Sequence, residues 1–408
     1  MALLANRGGL VLDESDLKAH LARLLQLENV AVLLGAGASV AAGGMTVRDL
    51  WGDFVQRHPD SAELLLEHEF VEASHIDAAR ETRQFPNIER LGDSLQIALI
   101  DGRRHDLWPA DTRGLERAIS DIKRSVVRAS LLQADWWQNS ESTRLAERLS
   151  QHRELLQKLT SARQPGQSAP WVFTTNYDLA IEWAAESIDL QVLNGFLGLH
   201  HRRFSPQSFD LGLRNTMARG EARFGVYNVY LAKLHGSLTW TERAGEVYER
   251  AAAASFAELD SFLQGGPALA QTMVFPRAAK YMETIGFVLG ELLRRFSEYL
   301  VRPQTSLLIS GYGFGDEHLN RILLSALQNP TLQIVVYLPE WNSEAPGANS
   351  RTVQTLMSLR SPRVTLVGGM PEAFFNSFVS HLPDPIVYDE QAARLRDLLR
   401  SSAAGEAQ

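Results

Sequence analysis

Polar side chains suited to chemistry follow three runs of apolar residues in this sequence. The three segments are residues 174–178 (TTNYD), 233–237 (KLHGS) and 311–318 (GYGFGDEH). Because ligands of open α/β sheets bind outside the carboxyl ends of the strands, these segments are candidates for a site. His235 is suited to accept a proton at neutral pH, while Asn176 and Asp178 are suited to position a ligand. Each segment also has a structural interpretation, as a helix cap, a turn or a flexible loop.

A fourth segment, Gly35-Ala36-Gly37-Ala38-Ser39, follows the apolar run 30–34. A short apolar run that ends in glycines is typical of a strand buried on both faces. Glycines at 35 and 37 would let an anion approach the backbone N–H groups at the start of the next helix. Dinucleotides bind in this way, although Val40 breaks the strict G-x-G-x-x-G pattern. The pattern therefore fits either a nucleotide site or a plain tight turn.

Apolar runs alternate with helical patterns from residue 171 onward. We predict strands at residues 171–175, 226–235, 306–311, 331–338 and 363–367. We predict helices at residues 13–27, 277–300, 317–328, 372–382 and 390–399. This alternation predicts an α/β fold, with a Rossmann-like parallel sheet that has helices on both faces.

A long helical region interrupts this alternation. Residues 52–168 carry helical patterns without a predicted strand, so we interpret them as a large helical insertion after the first βα unit. The insertion would divide the Rossmann-like domain into residues 1–51 and 169–385. Residues 386–408 are predicted to form a C-terminal helix and a frayed tail.

The composition is that of an ordinary soluble globular protein, with 45% hydrophobic and 22% charged residues among 408. The 40 basic and 48 acidic residues give a net charge of −8, which argues against an extended nucleic-acid surface. There is no cysteine, which excludes disulfides, thiol nucleophiles and a cysteine-ligated zinc. No apolar run is long enough to span a bilayer, and we expect a cytoplasmic protein without a metal site.

Together these motifs resemble the sirtuin family. Sirtuins carry a GAGxS turn, a T-Q-N-x-D motif and an H-G pair, which are similar to residues 35–39, 174–178 and 235–236. Counting onward from the turn places Gly43 and Arg48 on a glycine and an arginine of the family. The resemblance implies a Rossmann-like domain that uses NAD.

The sequence also departs from sirtuin deacylases. Thr175 replaces the usual glutamine, and Met45-Thr46-Val47 replaces the Pro-Asp-Phe that precedes the family's arginine. The four-cysteine zinc ribbon, which forms half of the peptide cleft, is missing because the chain has no cysteine. These departures argue against acyl-lysine deacylation.

The pattern is more similar to the bacterial sirtuin-like NAD-hydrolysing effectors of antiphage defence. They share a helical insertion after GAGxS, an HGSxxW segment and a late GYxxxD loop, and residues 235–240 and 311–316 match the last two. In size the chain resembles the sirtuin-like subunit that works beside a HerA-type hexameric DNA translocase. The resemblance implies an NAD-depleting, abortive-infection effector that forms a homo-oligomer. Its implied partner is a HerA-type ATPase, with no direct contact to nucleic acid or membrane.

The resemblance implies roles for individual residues, with NAD+ as the substrate and no metal. Asn176 would position the nicotinamide ribose and the attacking water, His235 would accept a proton, and Asp178 would hold the ribose or orient the site. The nucleotide would bind to Gly35, Ala36, Gly37, Ser39, Arg48, Thr174, Gly236, Gly311 and Asp316. Within this set the turn and Arg48 would contact phosphate, and Asp316 would contact the adenosine ribose.

Other functions stay open on the sequence alone. In a transferase or deacylase an ADP-ribose or acyl acceptor would replace water, whereas a regulatory subunit would bind NAD or ADP-ribose without consuming it. The pairing of Asn176 with His235 disfavours the non-catalytic function. A nuclease has little support, because His200-His201 and Glu67-His68-Glu69 lack persuasive metal-ligand spacing.

Overall fold

Two β-sheets and the helices around them make up the described part of the chain. The computed structural model describes residues 3–81, 85–86, 88–105, 109–132, 147–163, 166–213, 217, 228–266, 282–341 and 350–384. The strands are β1 (Leu4–Arg7), β2 (Leu10–Leu12), β3 (Asn29–Leu34), β4 (Trp171–Thr174), β5 (Gln191–Leu193), β6 (Phe196–Leu197), β7 (Arg202–Phe204), β8 (Asn228–Lys233), β9 (Trp240–Arg243), β10 (Glu246–Glu249), β11 (Thr305–Ser310), β12 (Gln333–Tyr337) and β13 (Val364–Gly368). The α-helices are α1 (Glu14–Leu24), α2 (Val47–Arg57), α3 (Pro59–Glu67), α4 (Ala73–Glu81), α5 (Ile88–His105), α6 (Pro109–Ser130), α7 (Ser150–Ser161), α8 (Ala180–Glu186), α9 (Ala252–Leu263), α10 (Met282–Leu300), α11 (Glu317–Ala326), α12 (Arg351–Ser358) and α13 (Phe375–His381). Short 3₁₀-helices span Ala36–Ala42 and Pro206–Asp210.

Within the described residues, nine strands form one large sheet with the order β2-β1-β13-β12-β11-β3-β4-β8-β5. The strands from β13 to β5 run parallel, whereas β1 and β2 form an antiparallel hairpin at one edge. This architecture confirms the predicted α/β fold with a mainly parallel sheet. The hairpin differs from the prediction, because it makes β3 the third strand of the chain and not the first.

Helices cover both faces of this sheet, as the sequence predicts. In β3 the side chains of Val30, Val32 and Leu34 pack into one buried cluster, and those of Ala31 and Leu33 pack into another. Helices α1, α7, α8 and α13 contribute to the first cluster, and α10, α11 and α12 contribute to the second. Because both faces of β3 are buried, its apolar run is continuous instead of alternating.

The region predicted as a helical insertion begins inside α2 and contains α3 to α6, and helices α2 to α6 pack around a third buried cluster. Leu115, Ile122 and Val126 of α6 are buried there, as their helical spacing predicts. Helix α9 joins the same cluster through Phe256, although it comes much later in the chain. Helix α7 falls within the proposed boundaries 52–168 but packs with the sheet. These boundaries stay a prediction.

A second sheet, absent from the prediction, has four described antiparallel strands in the order β6-β7-β10-β9. Phe196, Phe204 and Trp240 of this small sheet join the second cluster of the large sheet. Its strands are two to four residues long, and such short strands carry little periodic signal.

Two expectations concern the remaining parts of the chain. The predicted C-terminal helix at 390–399 and the tail within 386–408 lie outside the described residues. Among the helices that are described, none is long and apolar enough to cross a membrane.

Four neighbouring strands end at the same level of the large sheet. The register pairs Ser310 of β11 with Leu34 of β3, Leu34 with Thr174 of β4, and Thr174 with Lys233 of β8. After β3 the chain adds β4 and β8 on one side, and only later adds β11 on the other side. The strand order therefore reverses between β3 and β11, and ligands of open α/β sheets bind at such a reversal.

Candidate functional site

The glycine turn leaves β3 at this point of reversal. Gly35 donates its N–H to Ser310 O at 3.1 Å, and the 3₁₀-helix Ala36–Ala42 starts at the next residue. Gly43, with a φ of 103°, ends this short helix, and α2 begins only at Val47. The sequence predicts a strand, a turn and a helix here, and the structure places a 3₁₀-helix between the turn and α2.

The two glycines of the turn admit another part of the same chain. A Cβ atom at Gly35 would lie 2.5 Å from Gly311 O, and one at Gly37 would lie 2.8 Å from Gly311 Cα. Gly37 also donates its N–H to Gly311 O at 3.0 Å. Glycine is needed at 35 and 37 because the backbone at 311 crosses the turn. This is a second reason for glycine beside the predicted room for a phosphate, and nucleotide binding at the turn stays a prediction.

Asn176 holds the turn from the neighbouring strand end. Its Nδ2 donates to Gly35 O at 3.0 Å and to Ser39 Oγ at 2.9 Å. Ser39 Oγ in turn donates to Asp178 Oδ2 at 2.7 Å. An ionised carboxylate only accepts, so Ser39 gives its single proton to Asp178 and accepts from the amide. Both protons of Nδ2 are then used within the chain, and the carbonyl Oδ1 is the Asn176 atom suited to a ligand.

Thr174 and Asp178 shape the loop that carries Asn176. Thr174 Oγ1 donates to Leu34 O at 3.1 Å and accepts the N–H of Asn176 at 3.0 Å. Asp178 Oδ1 accepts the N–H of Ala180 at 3.0 Å, where α8 begins. Asp178 thus contacts the start of α8 with one oxygen but is not its N-cap, which is Leu179, and its other oxygen belongs to the hydrogen-bond chain described above.

His235 and Asp316 form a hydrogen-bonded pair. His235 Nε2 lies 2.9 Å from Asp316 Oδ2, and the two side chains are only 16% and 13% exposed. Asp316 Oδ1 accepts the N–H groups of His318 at 2.7 Å and Leu319 at 3.2 Å, and so caps α11. Burial acts to raise the pKa of Asp316. The hydrogen bond and charge of His235, with the two N–H groups, outweigh burial and lower this pKa below its usual value.

His235 and Asn176 leave neighbouring strands at the same level. Thr174 of β4 pairs with Lys233 of β8. Asn176 follows Thr174 by two residues, and His235 follows Lys233 by two residues. Gly236, with a φ of 106°, makes the turn after β8 and donates its N–H to Lys233 O at 3.3 Å. The structure therefore brings Asn176 into contact with the glycine turn and places His235 at the adjoining strand end.

Arg48 lies apart from this group of contacts. It stands in the first turn of α2, and its side chain forms a long ion pair of 3.9 Å with Glu340. Both partners are about half exposed, so the pair adds little stability. Among the described residues, Arg48 forms no hydrogen bond or ion pair with Asn176, Ser39 or Asp178, and its phosphate contact stays a prediction.

Buried ionisable residues behind the site are missing from the sequence prediction. Lys233 is 2% exposed, and it donates to Glu182 Oε1 at 2.9 Å and to the carbonyl groups of Tyr177 and Asp178. His152 of α7 is 1% exposed, and burial lowers its pKa to about 4 against the opposing charge of Asp178. Lysine is rarely buried unless it is paired. A lysine at the end of an apolar run is therefore a sequence signal for a buried, paired residue, and Lys233 carries this signal.

Residues 170–355 match the SIR2-like domain. The match includes β4, β8 and β11 and leaves out the glycine turn at 35–39. No curated protein matches the chain. The SIR2-like domain supports the Sir2-type family that the motifs predict, and it implies chemistry related to NAD.

The matched region, residues 170–355, contributes an oriented amide and a paired imidazole to this edge of the sheet. An amide oxygen suits hydroxyl groups or water, and an imidazole suits proton transfer near neutral pH. Among the described residues, no group of three or more His, Asp or Glu side chains is placed to hold a metal ion.

Proposed function

We propose that this protein hydrolyses the bond between nicotinamide and ribose in NAD+ and releases nicotinamide and ADP-ribose. The SIR2-like domain supports NAD as the substrate. The observation that carries the proposal is the Asn176 amide, which is held against the glycine turn by Gly35 and Ser39. It puts an oriented hydrogen-bond acceptor where open α/β sheets bind nucleotides.

Asn176 would act through Oδ1, because its two amide protons are used within the chain. This oxygen accepts a hydrogen bond from a ribose hydroxyl or from the attacking water. The bond to nicotinamide breaks through an oxocarbenium-like state, so water that is held near C1′ lowers the barrier. Ser39 and Asp178 would position the amide.

His235 would accept the proton that the attacking water loses. The Asp316 carboxylate accepts from Nε2, so neutral His235 carries its proton on that nitrogen. Water attacks C1′, its proton passes to the imidazole of His235, and nicotinamide leaves as a neutral molecule with the electron pair of the broken bond. Both oxygens of Asp316 have protein donors, so we assign Asp316 to positioning His235, while its contact with the adenosine ribose stays a prediction.

The pyrophosphate of NAD+ would bind near the start of the 3₁₀-helix, with Arg48 adding positive charge. The N–H groups of Gly35, Gly37 and Ala38 donate to carbonyl groups of the chain itself. A phosphate at the turn would therefore compete with the backbone at Gly311, which accepts one of these hydrogen bonds.

Product analysis tests this proposal. The purified protein is incubated with NAD+ labelled in the adenosine half, and the products are separated. We expect nicotinamide and free ADP-ribose in equal amounts. Label on protein would indicate a transferase, and binding without turnover would indicate a non-catalytic subunit; either result would contradict hydrolysis.

We further propose that hydrolysis depletes NAD+ in antiphage defence, in a homo-oligomer that works beside a HerA-type hexameric ATPase. The sequence resemblance is the support for this role. Light scattering on the purified chain tests the oligomer, and a clean monomer at high concentration would contradict it. NAD+ consumption measured with and without the ATPase tests the partnership, and identical rates would argue against it.

A further inference from the structure

A buried lysine connects the ends of β4 and β8. Lys233 is the last residue of β8 and is 2% exposed. Its ammonium donates to Tyr177 O at 3.3 Å, to Glu182 Oε1 at 2.9 Å and to the carbonyl group of Asp178. One side chain of β8 therefore holds both the loop after β4 and the helix that follows this loop.

The positions of these contacts relate them to the candidate site. Tyr177 follows Asn176 directly, and Lys233 stands two residues before His235. The ammonium therefore fixes the loop that presents the amide relative to the strand that presents the imidazole. Leu238 adds a second link, because its N–H donates to Tyr177 O at 3.1 Å.

The contacts of Lys233 describe a fixed support and not a reacting group. An ammonium has three N–H donors, and three acceptors surround this one. Glu182 balances its charge in the interior, where an unpaired charge would be strongly unfavourable. Lys233 therefore has no proton left for a substrate.

We infer that Lys233 is a positioning residue whose ammonium sets the placement of Asn176 relative to His235. The catalytic part of this inference rests on the proposed hydrolysis of NAD+, whereas the positional part does not. A displacement of about 1 Å at a catalytic group lowers a rate about 100-fold. Loss of the ammonium should therefore reduce turnover in protein that is still folded.

Lys233→Met and Lys158→Met form a matched pair of variants. Lys158 of α7 is also buried, donates to Val379 O at 2.8 Å and pairs with Glu154 Oε1 at 2.6 Å. Each substitution removes a buried ammonium and leaves a carboxylate without its partner. Only Lys233 contacts the loop that carries Asn176.

Two measurements on the purified full chain separate the effect of Lys233 on the loop at 175–178 from its effect on the rate of hydrolysis. Hydrogen exchange of the backbone N–H groups at 175–178 reports on the loop, and kcat per folded protein reports on hydrolysis. For Lys233→Met we expect exchange about tenfold faster and kcat about 10- to 100-fold lower, with little change in KM. For Lys158→Met we expect both to stay at wild-type values.

A double variant keeps the test possible if Lys233→Met folds poorly. Lys233→Met with Glu182→Gln removes the unpaired charge, so it should regain thermal stability and keep the low kcat. Wild-type exchange at 175–178 together with wild-type kcat in either Lys233 variant would overturn the inference. If the wild type consumes no NAD+, the proposed function fails, and the exchange measurement still decides the positional role.

Discussion

At the scale of single residues, the direction of each hydrogen bond decides what the side chain offers to a ligand. Asp178 accepts from Ser39, Ser39 accepts from Asn176, and the amide is left with one orientation. The same reasoning places the proton of neutral His235 on the nitrogen that faces Asp316. Two carboxylates thus orient the two proposed catalytic groups.

Ser39→Ala should lower kcat for NAD+ about 10- to 100-fold, because the Asn176 amide loses an acceptor that holds it. Ser306→Ala is the matched control, since its hydroxyl is also buried and donates to Leu24 O at 3.1 Å. Ser306→Ala removes one buried hydrogen bond and should lower the free energy of unfolding by about 1 kcal/mol, whereas Ser39→Ala removes two and should lower it by about 2 kcal/mol. Steady-state kinetics beside urea denaturation separates the two effects. Equal kcat in both variants would refute the positioning role of Ser39.

The sequence predicts which residues lie at the candidate site better than it predicts their hydrogen-bond partners. Asn176 and His235 stand at the ends of predicted strands, so their place at a strand end follows from the pattern alone. Asp316 is 81 positions from His235, and only the folded sheet shows that the two side chains meet. The prediction that Asp316 contacts ribose was therefore made without knowledge of its hydrogen bond with His235.

At the scale of elements, the glycine turn and the loop after β11 cross at the reversal of the sheet. A Cβ atom at Gly311 would lie 2.3 Å from Ala38 N, and the φ of Gly311 is 70°. Gly313 lies in the same loop, but a Cβ atom there would have no neighbour within 4 Å. The loop therefore offers two glycines with opposite tolerance for a side chain.

Gly311→Ala should lower the free energy of unfolding by about 2–4 kcal/mol, because the new Cβ meets backbone atoms and φ is left-handed. Gly313→Ala should change it by less than about 1 kcal/mol. Urea denaturation of both variants at one pH makes the comparison. A similar decrease in the free energy of unfolding in both variants would contradict the close backbone contact at Gly311.

The sequence predicts the long elements and misses the short ones. The apolar run of β3 is continuous because both faces are covered, and this signal is strong. Strands β1 and β2 are four and three residues long, and they are stabilised by pairing with each other and with β13. That pairing is set by distant parts of the chain, which local periodicity does not report.

At the scale of the whole molecule, buried histidines make stability depend on pH. Burial lowers the pKa of His20 and of His152 to about 4, whereas an unfolded chain has a value of about 6.5. Between these values the unfolded state binds more protons, so the free energy of unfolding falls as pH drops from about 6.5 to about 4.

Between pH 7 and pH 5 each of these histidines should lower the free energy of unfolding by about 2 kcal/mol. His152→Leu should remove its share of this dependence, because the variant has no group to protonate there. His200→Leu is the control, since His200 is exposed. Urea denaturation at both pH values gives the difference, and an unchanged dependence in His152→Leu would contradict a neutral buried His152.

The most direct measurement is the rate of nicotinamide release from NAD+ by the wild type, Asn176→Ala and His235→Ala. Asn6→Ala serves as the control, because Asn6 lies in β1, next to the edge strand β2, and its Oδ1 accepts the N–H of Gly9. We expect turnover by the wild type and by Asn6→Ala, and a loss of about 100-fold or more in the other two folded variants. Full turnover by both Asn176→Ala and His235→Ala would contradict the proposed site.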